Sequence, residues 1–171
     1  TCGLAVNLIK KYGVKVLRVD AIGIGSGVAG RLKEIEPCEI VGVKVSESAI
    51  DKSQFFSVRD ELWCGLADRF RNGLIDCSAI HQDDELFSQL TSVKEEPVNS
   101  KGQRKVESKD AMRKRNLPSP DRADALCLAF AGGDAPQPEK KVYPPGTLWY
   151  RGMLIHNRDD DDDDDDDEEE D

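Results

Sequence analysis

The apolar positions of the first fifty residues follow first helical, then strand spacing. A run from Leu4 to Ile9 leads into Lys-Lys-Tyr-Gly, which is typical of a helix end. Two β-branched runs, 14–19 and 40–45, flank a segment with apolar residues at helical spacing, and we expect that helix to open near Ser26. Strand, helix and strand in this order predict a βαβ unit with a parallel strand pair.

The rest of the chain predicts helices joined by short extended segments. Apolar residues between Ser57 and Phe70 recur at helical spacing, which places Arg59 and Asp60 on the polar face of that helix. Ser119 is predicted to cap the last helix. The further predicted elements are a strand at 74–75, a helix over 83–90, a hairpin of 93–98 with 105–107, a helix from 108 to about 114 and an apolar helix over 123–130.

Charge divides the chain into three predicted parts. The formal net charge is −10, but residues 159–171 are thirteen consecutive acids, so residues 1–158 carry +3. Such a run cannot bury apolar surface and predicts a disordered acidic tail. Residues 133–158 predict a Pro- and Gly-rich linker with a short apolar segment, which leaves 1–132 as the folded α/β domain. The sequence has no apolar run of about 18 residues, so we expect no membrane span.

Two carboxylates occupy positions that a site at a sheet edge would use. Asp20 closes the first predicted strand, and ligands of open α/β sheets bind outside the carboxyl ends of strands; a helix cap or turn former is the structural alternative. Asp124 lies on a largely apolar helix, so its charge points into a cleft or needs a partner. Asp121 opens that helix and is also explained as a first-turn acid. Converging carboxylates favour Mg²⁺ or Mn²⁺, and two such ions can hydrolyse a phosphodiester.

The segment after Asp20 offers a competing interpretation. Gly25 to Gly30 matches the pattern G-x-G-x-x-G, and Glu47 follows at the distance that dinucleotide-binding βαβ proteins use. Against this function, several residues separate the strand from the motif, and the Asp20 carboxylate would face the pyrophosphate. A tight turn between strand and helix would use the same glycines for positive φ.

A basic segment precedes the second carboxylate. Residues 101–122 hold eight basic and three acidic side chains, a local charge of +5. A solvated surface is the ordinary explanation, but the position also suits sequence-tolerant binding of a phosphate backbone. The candidate DNA-binding residues are Lys101, Arg104, Lys105, Lys109, Arg113, Lys114, Arg115 and Arg122.

Five blocks of sequence, in order, resemble the C-terminal nuclease domain of terminase large subunits from tailed phages and prophages. They are residues 19–28, Phe56 with 59–63, 84–90, 105–110 and 119–125, and the match spans about residues 5–131. The resemblance implies a ribonuclease H-like mixed sheet flanked by helices. It also implies a metal-dependent endodeoxyribonuclease that cuts concatemeric double-stranded viral DNA in the host bacterial cytoplasm.

The same resemblance implies site residues and partners. Asp20 resembles the second carboxylate of the family's acidic cluster and Asp124 the last, with Asp121 as an accessory or alternative, around two Mg²⁺ or Mn²⁺ ions. The family's first carboxylate lies on an N-terminal strand, downstream of an ATPase domain. Neither is matched here, so we expect a missing first strand and incomplete activity. The portal and the small terminase subunit are further implied partners. The alternatives are a non-catalytic DNA- or portal-binding remnant and a dinucleotide-binding βαβ protein.

Overall fold

The computed structural model describes residues 1–35 and 38–132, together with the backbone of two strands at 148–150 and 153–155. The helices are α1 (Cys2–Tyr12), α2 (Ile24–Ile35), α3 (Val58–Arg71), α4 (Asp84–Ser92), α5 (Lys109–Lys114) and α6 (Asp121–Ala129), with a 3-10 helix at Ser78–Ile80. The strands are β1 (Val16–Asp20), β2 (Glu39–Val43), β3 (Glu95–Glu96), β4 (Lys105–Val106), β5 (Leu148–Tyr150) and β6 (Met153–Ile155). Within the described part, no helix is long and apolar enough to span a bilayer. The predicted acidic tail, 159–171, lies outside the described residues.

The first half of the described chain is the predicted βαβ unit. β1 and β2 are parallel neighbours, with Asp20 opposite Val43, and α2 connects them. Ala29 and Leu32 of α2 are buried together with Ile40 of β2. This burial fixes the helix on one face of the strand pair, because each element covers the apolar side of the other.

The second half packs helices around a larger apolar cluster and a short antiparallel hairpin of β3 and β4. Residues from α3, α4, β4 and α6 supply its centre: Trp63, Cys64, Leu66, Leu86, Val106, Ala123 and Cys127. β1 joins this half to the first, since Arg18 Nη1 donates to the Ala129 carbonyl of α6 at 3.3 Å. The carboxyl end of β1 therefore lies beside α3 and α6.

The strands form separate pairs. Among the described residues, β1–β2 is a parallel pair, and β3–β4 and β5–β6 are antiparallel pairs. The predicted strand at 74–75 is wrong. Leu74 instead donates its backbone N–H to the Arg69 carbonyl at 2.9 Å and completes the end of α3, while Ile75 packs on the larger cluster.

Two local predictions at helix starts are also wrong. Ser119 does not cap α6: Pro120 holds the N-cap position without a side-chain hydrogen bond, and the Ser119 hydroxyl donates to Asp121 at 2.5 Å. Asp60 does not face solvent. It is buried in the first turn of α3, where its carboxylate accepts the backbone N–H of Val106 at 2.9 Å and so joins α3 to the hairpin.

Candidate functional site

A cavity of about 40 Å³ lies at the carboxyl end of β1. Its polar lining comes from four elements, with Asp20 on β1, Arg59 and Trp63 on α3, Lys109 on α5 and Asp124 on α6. Its apolar lining is Val45, Leu62, Cys127 and Leu128. Asp20 and Asp124, two of the predicted site residues, thus meet at one cavity. Asp121 is exposed and does not line it.

Asp20 is held by the turn that follows β1. The backbone N–H of Ile22 donates to Asp20 Oδ1 at 3.1 Å. The start of α2 then passes so close that a Cβ at Gly25 would lie 1.8 Å from the Asp20 carbonyl oxygen. Only glycine fits at this position, because any side chain would push the helix away from the strand end. Asp20 Oδ2 accepts no hydrogen bond from the described residues, so this oxygen is free to bind a cation.

Asp124 has partners for both carboxylate oxygens. The indole Nε1 of Trp63 donates to Oδ1 at 2.9 Å, and Lys109 Nζ lies 2.7 Å from Oδ2. These contacts explain how a carboxylate with only 23% of its side chain exposed is tolerated on an apolar helix. A cation that binds Asp124 would have to share Oδ2 with Lys109 or displace it.

Arg59 has two donors without partners. Its Nη1 donates to the Glu107 carbonyl at 2.9 Å, and its guanidinium carbon lies 5.9 Å from the centre of the Trp63 ring. Nε and Nη2 are buried and have no hydrogen-bond partner among the described residues. A buried donor without an acceptor typically costs about 1–3 kcal/mol. The guanidinium therefore offers hydrogen bonds that the described residues do not use.

Cys127 contributes an apolar wall to the cavity. Burial raises the pKa of its thiol, and the nearby negative charge of Asp124 raises it further. The thiol consequently stays protonated at neutral pH, where a thiolate would be the nucleophile. Chemistry at this cavity falls to the charged side chains.

The donor set fits part of a site for a hard divalent cation. Mg²⁺ is commonly held by one or two carboxylates together with waters and substrate phosphates. Asp20 and Asp124 match that chemistry at one cavity. Within the described ranges, however, no three His, Cys, Asp or Glu side chains converge on one point. The remaining ligands would have to come from water, the substrate or other parts of a longer protein.

Ion pairs engage most of the predicted DNA-binding residues. Arg104 pairs with Asp68 and Glu95, Lys105 with Glu96, Lys109 with Asp124, Arg113 with Asp110, Arg115 with Glu107, and Arg122 with Asp83 and Glu85. Lys101 and Lys114 form no ion pair with the described residues. The segment's charge of +5 counts only its own acids, whereas the fold adds acids from α3, α4 and β3. Its role in DNA binding stays a prediction.

The glycine motif lies inside a helix. α2 begins at Ile24, two residues before the predicted start, so Gly25, Gly27 and Gly30 are all helical. The turn that precedes it is made at Gly23, whose φ is 58°. A dinucleotide fingerprint needs its first glycines in the turn that receives the pyrophosphate. The helical placement removes the geometric basis of the dinucleotide-binding interpretation.

Solved structures share this arrangement of elements. The nuclease domain of the large terminase subunit gp2 of bacterial virus Sf6 is similar with a TM-score of 0.63 and 22% identity, over 75% of this chain and 70% of that one. The chain has the fold of a terminase nuclease domain. A lysine-to-alanine variant of the same domain with manganese matches at a TM-score of 0.63 and 21% identity, over 75% and 71% of the two chains. A calcium form of that variant matches equally, at 0.63 and 21%.

The terminase nuclease fold confirms the predicted ribonuclease H-like class. No protein-family profile and no curated protein matches the sequence. Sequence reasoning did not identify Arg59 and Trp63 as site residues, because helical spacing assigned one to the polar face and the other to the core. The signal that could have found them is the block at 59–63, one of the five blocks that resemble the terminase family.

Proposed function

We propose that this chain is the nuclease domain of a phage DNA-packaging terminase, a metal-dependent endodeoxyribonuclease that cuts concatemeric double-stranded DNA. One observation carries the proposal: Asp20 and Asp124, which lie on distant parts of the sequence, line the same cavity. That cavity lies at the carboxyl end of a strand, where α/β folds bind ligands. The chain also shares its fold with nuclease domains whose structures were determined with manganese and with calcium.

The proposed chemistry assigns a role to each charged group. Asp20 and Asp124 would hold divalent cations, with Asp121 as an accessory ligand if DNA binding brings it closer. Two bound ions would supply an activated water and would stabilise the charge of the leaving oxygen. Trp63 holds Asp124 through Oδ1, so a cation would bind Asp124 through Oδ2, in place of Lys109, together with the Asp20 carboxylate.

Partners follow from the same proposal. Residues 1–132 would act as the nuclease domain beside an ATPase domain and a first strand supplied by a longer protein. Residues 133–158 would be a linker and 159–171 an acidic tail. The substrate is double-stranded DNA, the portal and the small terminase subunit are expected partners, and the setting is the host bacterial cytoplasm.

Nicking of supercoiled plasmid by the full chain, with Mn²⁺ or Mg²⁺, tests this function. We expect Asp20→Asn and Asp124→Asn each to reduce the rate by about 100-fold or more, since even residues behind a ligand typically account for about 10–100-fold. Both changes preserve size and an acceptor oxygen, so thermal unfolding should change little. Asp121→Asn measures whether the third predicted acid takes part.

Asp110→Asn is the matched control. Asp110 is highly exposed, pairs with Arg113 on the surface of α5 and does not line the cavity. We expect its rate to equal that of the unaltered chain. Equal rates for Asp20→Asn and the control would contradict the proposal.

A non-catalytic DNA- or portal-binding remnant is the second candidate. The observation that favours it is the engagement of both Asp124 oxygens by Trp63 and Lys109. Salt-dependent DNA binding without metal-dependent nicking, under conditions in which the chain is folded, would support the remnant over the nuclease.

A further inference from the structure

We infer that Arg59 is a phosphate-binding residue of this cavity, with Nε and Nη2 donating to a nonbridging oxygen of the DNA backbone. The inference rests on the proposed function and adds a substrate contact that the two carboxylates cannot make. Arg59 lines the cavity together with Asp20 and Asp124. It is the only arginine among the lining residues of this described cavity.

The hydrogen-bond pattern of Arg59 points to an external acceptor. Nη1 is engaged by the Glu107 carbonyl, and the ring of Trp63 lies alongside the guanidinium. These two contacts fix the orientation of the side chain and leave its Nε and Nη2 buried without an acceptor from the described residues. Although two carboxylates line the same cavity, neither forms an ion pair with Arg59 within the described part.

The chemistry of the missing acceptor favours a phosphate. Nε and Nη2 lie on one edge of the guanidinium and form a fork that matches two oxygens, or two lone pairs, of an anion. A cavity of about 40 Å³ admits such an oxygen or a few waters, since about 10–15 Å³ of this volume holds one water. The DNA backbone is the anion that the proposed nuclease must bring to Asp20 and Asp124.

A purely structural role makes a different prediction. Arg59 could serve only to join α3 to the chain at Glu107 and to pack against Trp63. Its loss would then lower thermal stability without changing how DNA affinity depends on salt. Neutralising one phosphate contact changes the slope of log K against log[salt] by about 0.9, which packing does not do.

Fluorescence anisotropy of a 20-base-pair duplex with the full chain tests the inference, with Ca²⁺ as the ion and a gel to verify that the DNA stays intact. We expect Arg59→Gln to weaken binding about tenfold and to reduce the salt slope by about 1. Arg59→Lys should retain the salt slope, because it keeps the positive charge. Its DNA affinity should fall a few-fold, because lysine lacks the paired Nε and Nη2 donors. Arg31→Gln is the control. Arg31 is an exposed residue of α2 that pairs with Glu34, so this substitution removes the same charge at a position outside the cavity lining.

The outcomes separate this inference from the proposed function. Affinity and slope of Arg59→Gln equal to those of Arg31→Gln would overturn the phosphate contact, even while the unaltered chain nicks plasmid with Mn²⁺. If Arg59→Gln does not fold, Arg59→Lys decides, and an affinity equal to that of the unaltered chain overturns the inference. A chain that neither nicks plasmid nor binds DNA overturns the proposed function and the inference together.

Discussion

The carboxylate of Asp124 accepts a hydrogen bond from the Trp63 indole and forms an ion pair with the Lys109 ammonium. The two contacts differ in how far they are exposed to solvent. Trp63 is buried, whereas 42% of the Lys109 side chain is exposed, and an ion pair with that much solvent contact is worth only about 0–1 kcal/mol. Lys109 therefore balances the charge of Asp124 in the absence of another cation and is the partner that can be displaced.

Lys109→Ala should tighten the binding of Mn²⁺ to the DNA-free chain. Removal of the ammonium frees Asp124 Oδ2, and loss of a competing pair worth up to about 1 kcal/mol corresponds to roughly fivefold in affinity. Titration calorimetry or the Mn²⁺ paramagnetic resonance signal measures the change. Lys114→Ala, which removes a charge from the same helix, should leave the affinity within twofold. Weaker binding by Lys109→Ala would instead assign the lysine a supporting role at the metal.

Sequence rules identify the two cavity carboxylates better than their neighbours. Asp20 follows an apolar strand and Asp124 interrupts an apolar helix, and both anomalies are visible in the one-dimensional pattern. Arg59 occupies an ordinary polar position of an amphipathic helix. Its placement depends on how α3 sits against the hairpin, through Asp60 and Val106, and this contact spans 46 residues of sequence. No local pattern encodes it.

At the scale of elements, the position of α2 sets the position of Asp20. The helix begins at Ile24 directly after the turn at Gly23, and Gly25 touches the backbone of the strand end. At Gly27, two residues further along α2, an added Cβ would have no atom within 4 Å. The close approach to the strand end thus requires glycine at residue 25 but not at residues 27 and 30, although the sequence pattern treats the three as equivalent.

Gly25→Ala should destabilise the chain, and Gly27→Ala should not. A methyl group at residue 25 would overlap the Asp20 carbonyl, so α2 must move away from β1, and we expect a loss of at least about 1–3 kcal/mol as for other overpacked sites. Alanine at residue 27 should be neutral or stabilising by up to about 1 kcal/mol, because glycine lowers helix stability. Urea unfolding measures both. Equal destabilisation by the two changes would contradict the structural explanation.

Elements with local signals were predictable, and those that need a distant partner were less so. Ser57 and Ser108 cap α3 and α5 with side-chain hydrogen bonds, and Gly13 ends α1 at φ 62°. Each of these residues lies next to the helix end that it defines, so a local pattern is enough to predict it. The expected strand at 74–75 fails because strand identity requires a neighbour to pair with. β1 and β2 pair with each other across α2, whereas Leu74 and Ile75 pair with no strand among the described residues and Ile75 packs on the larger cluster.

At the scale of the whole molecule, ion pairs hold the hairpin and α4 to the helices. Arg104 of the hairpin reaches Asp68 of α3, and Arg122 of α6 reaches Asp83 at the start of α4. The hydrogen bond from Arg104 holds the pKa of Asp68 below its usual range. The backbone N–H of Leu86, followed by Arg122, lowers the pKa of Asp83. These hydrogen bonds and ion pairs form in the folded chain, so the folded state favours the ionised acids.

Glu107 belongs to the same group and is the most buried of these acids. Arg115 donates to its Oε1, which also accepts the backbone N–H of Lys94 at 2.9 Å, and these bonds lower the pKa of Glu107. Because the folded pKa lies below the unfolded one, the unfolded chain binds more protons in acid. The stabilisation is present above the ordinary carboxyl pKa of about 4.5 and is lost as the pH falls through the lower, folded value.

Stability of the chain should therefore fall as the pH drops below about 4.5, and Glu107→Gln should make that fall shallower. The variant is expected to be about 1–3 kcal/mol less stable at pH 7, since it loses a charged hydrogen bond to Arg115. Glu34→Gln is the control, because its pair with Arg31 is exposed on both sides and contributes little. Urea unfolding at several pH values measures all three chains. If Glu107→Gln loses as much stability on acidification as the unaltered chain, the ionised Glu107–Arg115 contact does not contribute to the acid sensitivity, and other acids with a lowered pKa, such as Asp68 and Asp83, account for it.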